Sequence, residues 1–380
     1  MRRAQPGWAH ARTAAYVLLF FVLAAVLLYL LFLVTTLFWV VLGVKAVSSQ
    51  EVSSQSATLR RAPEVKMPAT ADSNSPAHWS GDTLYVFNSW NHPSRSAGRD
   101  QFSLGAPMSI RFEPADASIG NRWIEATWPD DDGTLYGWYH NEPKGLCPGS
   151  EARTKYGLTA PRIGAVRSRD NGATWEDLGF VLTAPDGSLD CQALNGYFAG
   201  GHGDFSVALD AAREWLYIFF GSYAGDVAGQ GVAVARMKWA DRHAPAAKVW
   251  KRHGDGWTEP GIGGRMTPIF RARIAWQARD TDAFWGPSVH WNTYLARYVM
   301  LMNRSCCSPE WPQQGIYISY ATDLADPAAW SPPTRLLAGG DWYPQVVGLD
   351  AGRKETDKLA GQVARFYMHG KSVHEIVFER

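Results

Sequence analysis

The sequence lacks a charge imbalance and has few charged residues overall. Its 380 residues include 37 Lys and Arg against 36 Asp and Glu, a net charge of +1. This balance gives no electrostatic reason to expect nucleic acid as a partner. With 19% charged and 46% hydrophobic residues, the composition also argues against a disordered chain.

The sequence also lacks the short motifs of several enzyme classes. It contains no P-loop, no G-x-G-x-x-G after a strand, no G-x-S-x-G elbow and no H-E-x-x-H. Kinase, nucleotide-dependent and serine-hydrolase functions therefore have no support. The absence of C-x-x-C and of Cys/His ligand spacing argues against a zinc site.

One long apolar segment is present, at the N-terminus. No charged residue occurs between Arg12 and Lys45, and residues 14–44 are almost all apolar. About 20 such residues suffice to cross a bilayer, and the cores of signal peptides are shorter. Because arginines precede the segment, we predict a cytoplasmic tail at 1–13, a transmembrane signal anchor at 14–44 in contact with the lipid bilayer, and a periplasmic or extracellular remainder. A signal peptide cleaved near Ala46 is the alternative.

The rest of the chain divides into a polar stretch and an aromatic-rich domain. Residues 45–75 are rich in Ser, Pro and Ala with few large apolar residues, which predicts a flexible stalk. Residues 76–380 contain short runs of Tyr, Val, Ile, Phe and Trp separated by Gly, Asp and Asn, which predicts an all-β fold.

A pair of strands recurs five times in this domain. In each copy one strand leads through a turn to a strongly aromatic second strand. The five pairs are Pro76–Trp79 with Leu84–Trp90, Trp123–Trp128 with Leu135–Asn141, Asp204–Leu209 with Leu216–Ser222, Gly286–Trp291 with Tyr298–Arg304, and Trp342–Leu349 with Ala364–Gly370. Third strands follow at Ile163–Asp170, Gly231–Met237 and Gly315–Asp323. The repeat predicts a β-propeller with five blades, or with six if 238–279 conceals another.

A turn in the second repeat carries the motif S-x-D-x-G-x-T-W, from Ser168 to Trp175. The motif is similar to the Asp-box (BNR repeat) of sialidase-like propellers, and the chain also resembles the five-bladed glycoside hydrolase propellers. In this turn we expect Asp170 to accept amide hydrogens, Gly172 to take a positive φ and Trp175 to pack between blades. The resemblance implies a folding role for the motif, outside any active site.

Propeller topology places the start of each inner strand and the end of each second strand on one face, around the central channel. Two carboxylates, Glu125 and Asp204, start equivalent inner strands and are our candidate catalytic pair, with Glu142 and Asp226 in reserve. Aromatic rings stack on sugars and polar side chains bind their hydroxyls, which predicts a glycan ligand. The candidate substrate-binding residues are Trp90, His140, Glu142, His202, Trp285, Arg304, Trp342 and His369.

The resemblance implies three inner-strand carboxylates, one on each of the first three blades. The first blade offers only His78 and Trp79 on its strand, with Asp82 in the turn that follows. We therefore carry two functional hypotheses: a membrane-anchored glycoside hydrolase, and a non-catalytic propeller that binds a glycan or a protein in an envelope complex. No ligand spacing requires a cofactor, and Ca²⁺ in the channel is implied by analogy alone.

The four cysteines are Cys147, Cys191, Cys306 and Cys307. The propeller assignment puts all four in loops of one face. It favours a Cys147–Cys191 disulfide that clamps two loops beside the candidate carboxylates. Cys306 and Cys307 form either a vicinal disulfide or two thiols.

Overall fold

The structure, a computed structural model, describes residues 26–33, 55–90, 92–115, 119–155, 157–307 and 312–380. The chain divides into two units, Met1–Ser54 and Gln55–Arg380. In the first unit, residues 26–33 are helical with exposed side chains. The predicted tail at 1–13, most of the predicted transmembrane segment and residues 45–54 of the predicted stalk lie outside the described residues. Within the described ranges, no helix combines the length and the apolar character needed to cross a bilayer.

The second unit is a ring of five mainly antiparallel sheets, counted over the described residues, and is therefore a five-bladed β-propeller. The chain enters it through strand β1 (Ser56–Lys66). Blade one contains β2 (Ala77–Ser80), β3 (Thr83–Asn88), β4 (Ser94–Gly98) and β5 (Met108–Ser109). Blade two contains β6 (Arg111–Glu113), β7 (Asn121–Pro129), β8 (Leu135–Glu142), β9 (Arg162–Ser168) and β10 (Thr174–Leu182). Blade three contains β11 (His202–Leu209), β12 (Trp215–Ser222), β13 (Gly231–Lys238), β14 (Trp250–His253), β15 (Gly256–Pro260) and β16 (Phe270–Arg271).

The last two blades complete the ring. Blade four contains β17 (Ala283–Asn292), β18 (Arg297–Ser305), β19 (Gln313–Ala321) and β20 (Thr334–Ala338). Blade five contains β21 (Gln345–Gly348), β23 (Val363–Met368) and β24 (Lys371–Glu379), and the short β22 (Leu359–Ala360) pairs with the inner strand of blade four. Short 3₁₀ helices occupy Ser150–Ala152, Val227–Gly229, Trp239–His243 and Pro327–Ala329.

All five predicted strand pairs are confirmed, and the six-bladed alternative is wrong. Residues 238–279 hold a 3₁₀ helix and the outer strands of blade three, not a further sheet. The apolar residues of this segment, Trp239, Val249 and Met266 among them, pack onto the core that blade three shares with blade two.

The predicted stalk at 45–75 is wrong for residues 56–66. These residues form β1, which pairs antiparallel with β24, so that Ser56 lies opposite Glu379 and Lys66 opposite Lys371. An N-terminal strand thus completes the last blade and closes the ring. The composition concealed this, because an outermost strand needs few apolar residues. Ala57 and Leu59 pack toward blade four, and Val65, beyond a register shift in the pairing, packs toward blade one.

The core of the propeller lies between blades. Adjacent residues of one strand point to opposite sides of a sheet. Accordingly, Phe219 packs toward blade four while Phe220 packs toward blade two. Likewise, Val346 joins the cluster shared with blade four, and Val347 joins the cluster shared with blade one. Strands that are apolar on both faces, as the second strands are here, are therefore suited to a ring of blades.

The turn between β9 and β10 behaves as its residues predicted. Asp170 Oδ1 accepts the amide of Thr174 at 2.9 Å, and Gly172 has a φ of 81°. Trp175 is fully buried between blades one and two, with its ring centroid 5.7 Å from that of Phe87. The turn therefore fixes the side chain that joins these two blades.

Replacing Trp175 with alanine should lower the free energy of unfolding by about 3–5 kcal/mol, because the cavity left between two blades has no side chain to fill it. Trp250→Ala is the matched control, since Trp250 is 42% exposed on blade three. Chemical denaturation of both variants measures the difference. Similar losses in the two would contradict a specific role for Trp175 in joining the blades.

Candidate active site

A pocket of about 770 Å³ lies over the axis of the propeller. Every blade contributes to it, which places it at the mouth of the central channel. Its lining residues are Asp72, Trp90, Asn121, Trp123, His140, Glu142, Pro143, Lys144, Gly145, Glu151, Gly157, Leu158, Thr159, Tyr197, Phe198, Asp204, Trp276, Trp285, Trp342 and Tyr343. Six of the predicted site residues are among them: Trp90, His140, Glu142, Asp204, Trp285 and Trp342.

The two predicted catalytic carboxylates lie at bulges of their inner strands. The pairing of β7 with β8 shifts register between Ile124 and Ala126, so Glu125 has no partner residue. The pairing of β11 with β12 shifts between Gly203 and Phe205, and Asp204 adopts a φ of 45°. A bulge redirects a side chain from the sheet. Oxygens of these two carboxyl groups, together with a nitrogen of His140, lie within 4.8 Å of one another.

Glu125 and Asp204 differ in their access to the pocket. Asp204 lines it, whereas Glu125 is 2% exposed and lies beneath it, beside a cavity of about 10 Å³ in the channel. Glu125 Oε2 accepts the amide of Phe205 at 2.7 Å. Glu125 is therefore placed to support the neighbouring strand of blade three and does not line the pocket.

A third carboxylate on the pocket floor was missed by the sequence analysis. Asp72 lines the pocket and its amide donates to the carbonyl of Ser89 at 2.8 Å, at the end of the second strand of blade one. Residue 72 belongs to the predicted stalk, and the predicted first blade begins only at Pro76. The sequence offered one signal for Asp72: it lies four residues before the predicted inner strand of blade one.

Hydrogen bonds fix the floor carboxylates. Tyr197 donates to Glu142 Oε2 at 2.6 Å, and Tyr223 donates to Asp204 Oδ2. His140 Nε2 lies 3.3 Å from Glu142 Oε1. Because a carboxylate that accepts hydrogen bonds from rigid aromatic side chains has few rotamers left, these groups are held in place before any ligand arrives.

Burial changes the ionisation of two of these carboxyl groups. It raises the pKa of Asp204 to about 7, a shift that the charge of His140 opposes and that of Glu125 reinforces. Burial also raises the pKa of Asp72 to about 6, with a further increase from the charge of Glu142. Both groups therefore exchange protons close to neutral pH, where acid–base catalysis is most effective.

The pocket wall is aromatic and is reinforced by a disulfide. Cys147 and Cys191 are bonded, as predicted, and they join the loop after β8 to the loop before β11. Thr159 and Phe198 from the same two loops pair as a β-bridge above the floor. Phe198 in turn stacks on Tyr223 with centroids 4.1 Å apart, which connects the wall to Asp204. Cys306 and Cys307 are also bonded to each other.

Three predicted substrate-binding residues are not brought to the pocket. His202 is buried in blade three, where its Nε2 lies 3.1 Å from Lys251 Nζ. Arg304 makes two hydrogen bonds, at 2.8 and 2.9 Å, to Asp282. His369 lies behind Trp342, with the two rings stacked 6.3 Å apart. The reserve residue Asp226 is exposed and also outside the lining. Strand position alone did not predict the hydrogen-bond partners of His202 and Arg304.

The channel residues do not fit the Ca²⁺ that analogy implied. Ca²⁺ takes six to eight oxygen ligands. The cluster of Glu125, His140 and Asp204 offers two carboxyl groups whose oxygens Oε2 and Oδ2 already accept hydrogen bonds from Phe205 and Tyr223. A second group, Asp282 with Cys306 and Cys307, has both its sulfurs in a disulfide. We derive no step through a metal ion.

Comparison with known proteins gives no family. No protein-family model matches the sequence, and a search of curated proteins returns no match. Among solved structures, the chain is similar to an exo-β-1,3-galactanase from Phanerochaete chrysosporium bound to β-1,3-galactotriose, at 11% identity and a TM-score of 0.47 over 84% of this chain and 64% of that chain. It is also similar to an α-L-arabinanase from Cellvibrio cellulosa complexed with arabinohexaose, at 12% identity and a TM-score of 0.46 over 82% of this chain and 92% of that chain. The described chain is a five-bladed β-propeller with an aromatic, carboxylate-floored pocket on its axis.

Proposed function

We propose that this protein is a carbohydrate-active enzyme of the glycoside hydrolase type. The observation that carries the proposal is the convergence of three carboxyl groups on the floor of one tryptophan-walled pocket: Asp72 from the segment before blade one, Glu142 from blade two and Asp204 from blade three. Tryptophan faces stack on the C–H surfaces of sugar rings, and hydrolysis of a glycosidic bond requires a carboxylic acid and a second carboxylate.

The ionisation of the floor suggests the role of each carboxyl group. Asp204, with its pKa raised by burial to about 7, is our general acid and donates its proton to the glycosidic oxygen as the C–O bond breaks. Asp72, ionised above a pKa of about 6, is our second carboxylate. It either removes a proton from the attacking water or itself attacks the anomeric carbon. The anomeric configuration of the product, followed by NMR, distinguishes the two.

A glycan library tests the proposal directly. Purified protein is incubated with oligosaccharides of the common hexoses and pentoses, and released sugar is measured. The proposal expects release from at least one glycan. Binding of a glycan to the wild-type protein without release from any would instead support the non-catalytic glycan-binding function.

Activity should show a narrow bell-shaped dependence on pH. The rate falls below about pH 6 because Asp72, as base or nucleophile, must be ionised, and burial raises its pKa to about 6. The rate falls above about pH 7 because Asp204, as acid, must be protonated, and burial raises its pKa to about 7. Initial rates from pH 4 to 9 measure both limbs. A profile that is flat through pH 8 would remove Asp204 from the role of acid.

We also propose that the propeller is held outside the cytoplasm by the N-terminal apolar segment at 14–44. The Cys147–Cys191 disulfide supports an oxidising compartment. Fractionation of expressing cells, with the full chain compared with a chain that lacks residues 1–54, tests this location. Full-length protein that stays in the soluble cytoplasmic fraction would contradict it.

A further inference from the structure

His140 occupies the centre of the carboxylate cluster and has little freedom to move. It lies on the second strand of blade two and is 4% exposed. The ring of Trp123 packs against its edge, with centroids 5.5 Å apart. On the other side is Gly203, where an added Cβ would lie only 2.5 Å from His140 Cε1. Glycine at 203 is thus required for the imidazole to fit between two strands.

Both ring nitrogens of His140 face carboxyl groups. Nε2 lies 3.3 Å from Glu142 Oε1. Nδ1 lies 3.3 Å from Glu125 Oε1 and 3.8 Å from Asp204 Oδ1. One buried imidazole therefore contacts carboxyl groups of three strands.

Nδ1 also lies next to a hydrogen-bond donor. The backbone amide of Asp204 points at it, with the two nitrogens 3.1 Å apart. A neutral Nδ1 accepts this hydrogen bond, whereas a protonated Nδ1 repels the amide and donates to Glu125 instead. Asp204 is the bulged residue with a φ of 45°, so its backbone has no strand partner to hold it when that bond is lost.

The charged groups around the imidazole are mostly acidic. Carboxyl groups face it from blade two (Glu125, Glu142), blade three (Asp204) and the segment before blade one (Asp72), and the hydroxyls of Tyr197, Tyr223 and Tyr343 complete the surroundings. The cations nearby are Lys144 on the pocket wall and Lys358 in the cavity below, where Lys358 is bonded to Asp357.

We propose that His140 is a positioning residue that couples the charge of the pocket floor to the backbone of Asp204. In the protonated form it joins Glu125 and Glu142 and leaves the Asp204 amide free. In the neutral form its Nδ1 holds that amide. The consequence for catalysis rests on the proposed function, because it concerns the carboxyl group that we assign as the acid.

The ionisation of the cluster agrees with this geometry. Burial alone lowers the pKa of His140, but its hydrogen bonds to Glu125 and Glu142 outweigh burial and raise the pKa well above its usual value. Its positive charge in turn lowers the pKa of Asp204 and of Asp72, against the larger effect of burial on each. The raised pKa favours the protonated form of His140.

Nuclear magnetic resonance of the full-length chain, labelled with ¹⁵N-histidine, tests the proposal without any substrate. The His140 signals are assigned by their loss in His140→Gln. We expect both ring nitrogens to be protonated at pH 7, and the neutral form reached at higher pH to carry its proton on Nε2. A ring that is neutral at pH 6, or a neutral form protonated on Nδ1, would overturn the proposal.

A second measurement separates positioning from mere packing. In ¹³C-aspartate-labelled protein, the carboxyl titration of Asp204 should move to higher pH in both His140→Gln and His140→Leu, because both variants remove the charge that lowers its pKa. His140→Gln supplies an uncharged acceptor for the Asp204 amide and His140→Leu supplies none, so that amide should be better protected from hydrogen exchange in His140→Gln than in His140→Leu. An unchanged Asp204 titration in two folded variants would refute the coupling. Neither result depends on turnover, so failure of the glycan assay alone would count against the proposed function and not against this inference.

Discussion

Asp204→Asn should reduce the rate of glycan cleavage by about 10²- to 10⁴-fold, the range expected when a general acid is removed. The amide has no proton of suitable acidity for the leaving oxygen, yet it keeps the size of the side chain and an acceptor for the Tyr223 hydroxyl. Glycan binding should therefore persist. Reaction rates and isothermal titration with the same glycan separate the two effects.

Asp72→Asn should have a loss of similar size, because the second carboxylate is needed whether it activates water or attacks the sugar. Asp226→Asn is the matched control, since Asp226 is an exposed carboxylate outside the pocket lining and should keep full activity. Full activity in Asp204→Asn or Asp72→Asn would remove that residue from the mechanism. Equal losses in all three variants would indicate damage to the fold.

Removal of the closing strand should have the largest effect on stability. A chain that begins at residue 67 lacks β1, which exposes the edge of β24 and the apolar side chains that Ala57, Leu59 and Val65 cover. These three side chains are half-buried, and full burial of a Leu or Val side chain stabilises by about 1.5–3 kcal/mol. We therefore expect a loss of more than about 3 kcal/mol in the free energy of unfolding, together with aggregation through the open edge. Thermal and chemical denaturation measure it.

The control for this deletion is a chain that begins at residue 55, the start of the propeller unit. It keeps β1 and should unfold as the full propeller does. A matched pair of substitutions refines the test: Leu59→Asp faces the core shared by blades four and five, whereas Thr58→Asp faces solvent on the other side of the strand. Equal stability of the chains that begin at 55 and at 67 would show that β1 does not close the ring.

Much of this propeller could be predicted from local sequence. The aromatic second strands, such as Leu135–Asn141, were predictable as strands. Alternate residues of such a strand pack toward different blades, so the residues on both of its faces must be apolar. The turn from Ser168 to Trp175 contains its own hydrogen-bond donors and acceptors within a few residues. The Cys147–Cys191 bond followed once the blade order placed two loops on one face.

What the sequence could not supply depends on contacts distant along the chain. Ser56 bonds to Glu379, 323 residues away, and no local pattern in a Ser- and Ala-rich segment predicts that pairing. Asp72 follows β1 by six residues. Because β1 was not predicted, Asp72 was not recognised as a carboxylate of the pocket floor. The sequence analysis assigned Glu125 and Arg304 to the channel face, but in the structure Phe205 and Asp282 engage them.

By itself, then, the sequence determined the repeating strand pairs, the number of blades to within one, and the face on which the polar residues gather, since these follow from alternation along a strand. Only the tertiary structure decided which of those polar groups remain open to a ligand. A side chain at a strand end has several hydrogen-bond donors and acceptors within reach. Which of them it engages depends on how five blades, distant from one another along the chain, pack around the axis. In this ring, that choice leaves Asp72, Glu142 and Asp204 on the pocket floor and places Glu125 beneath it.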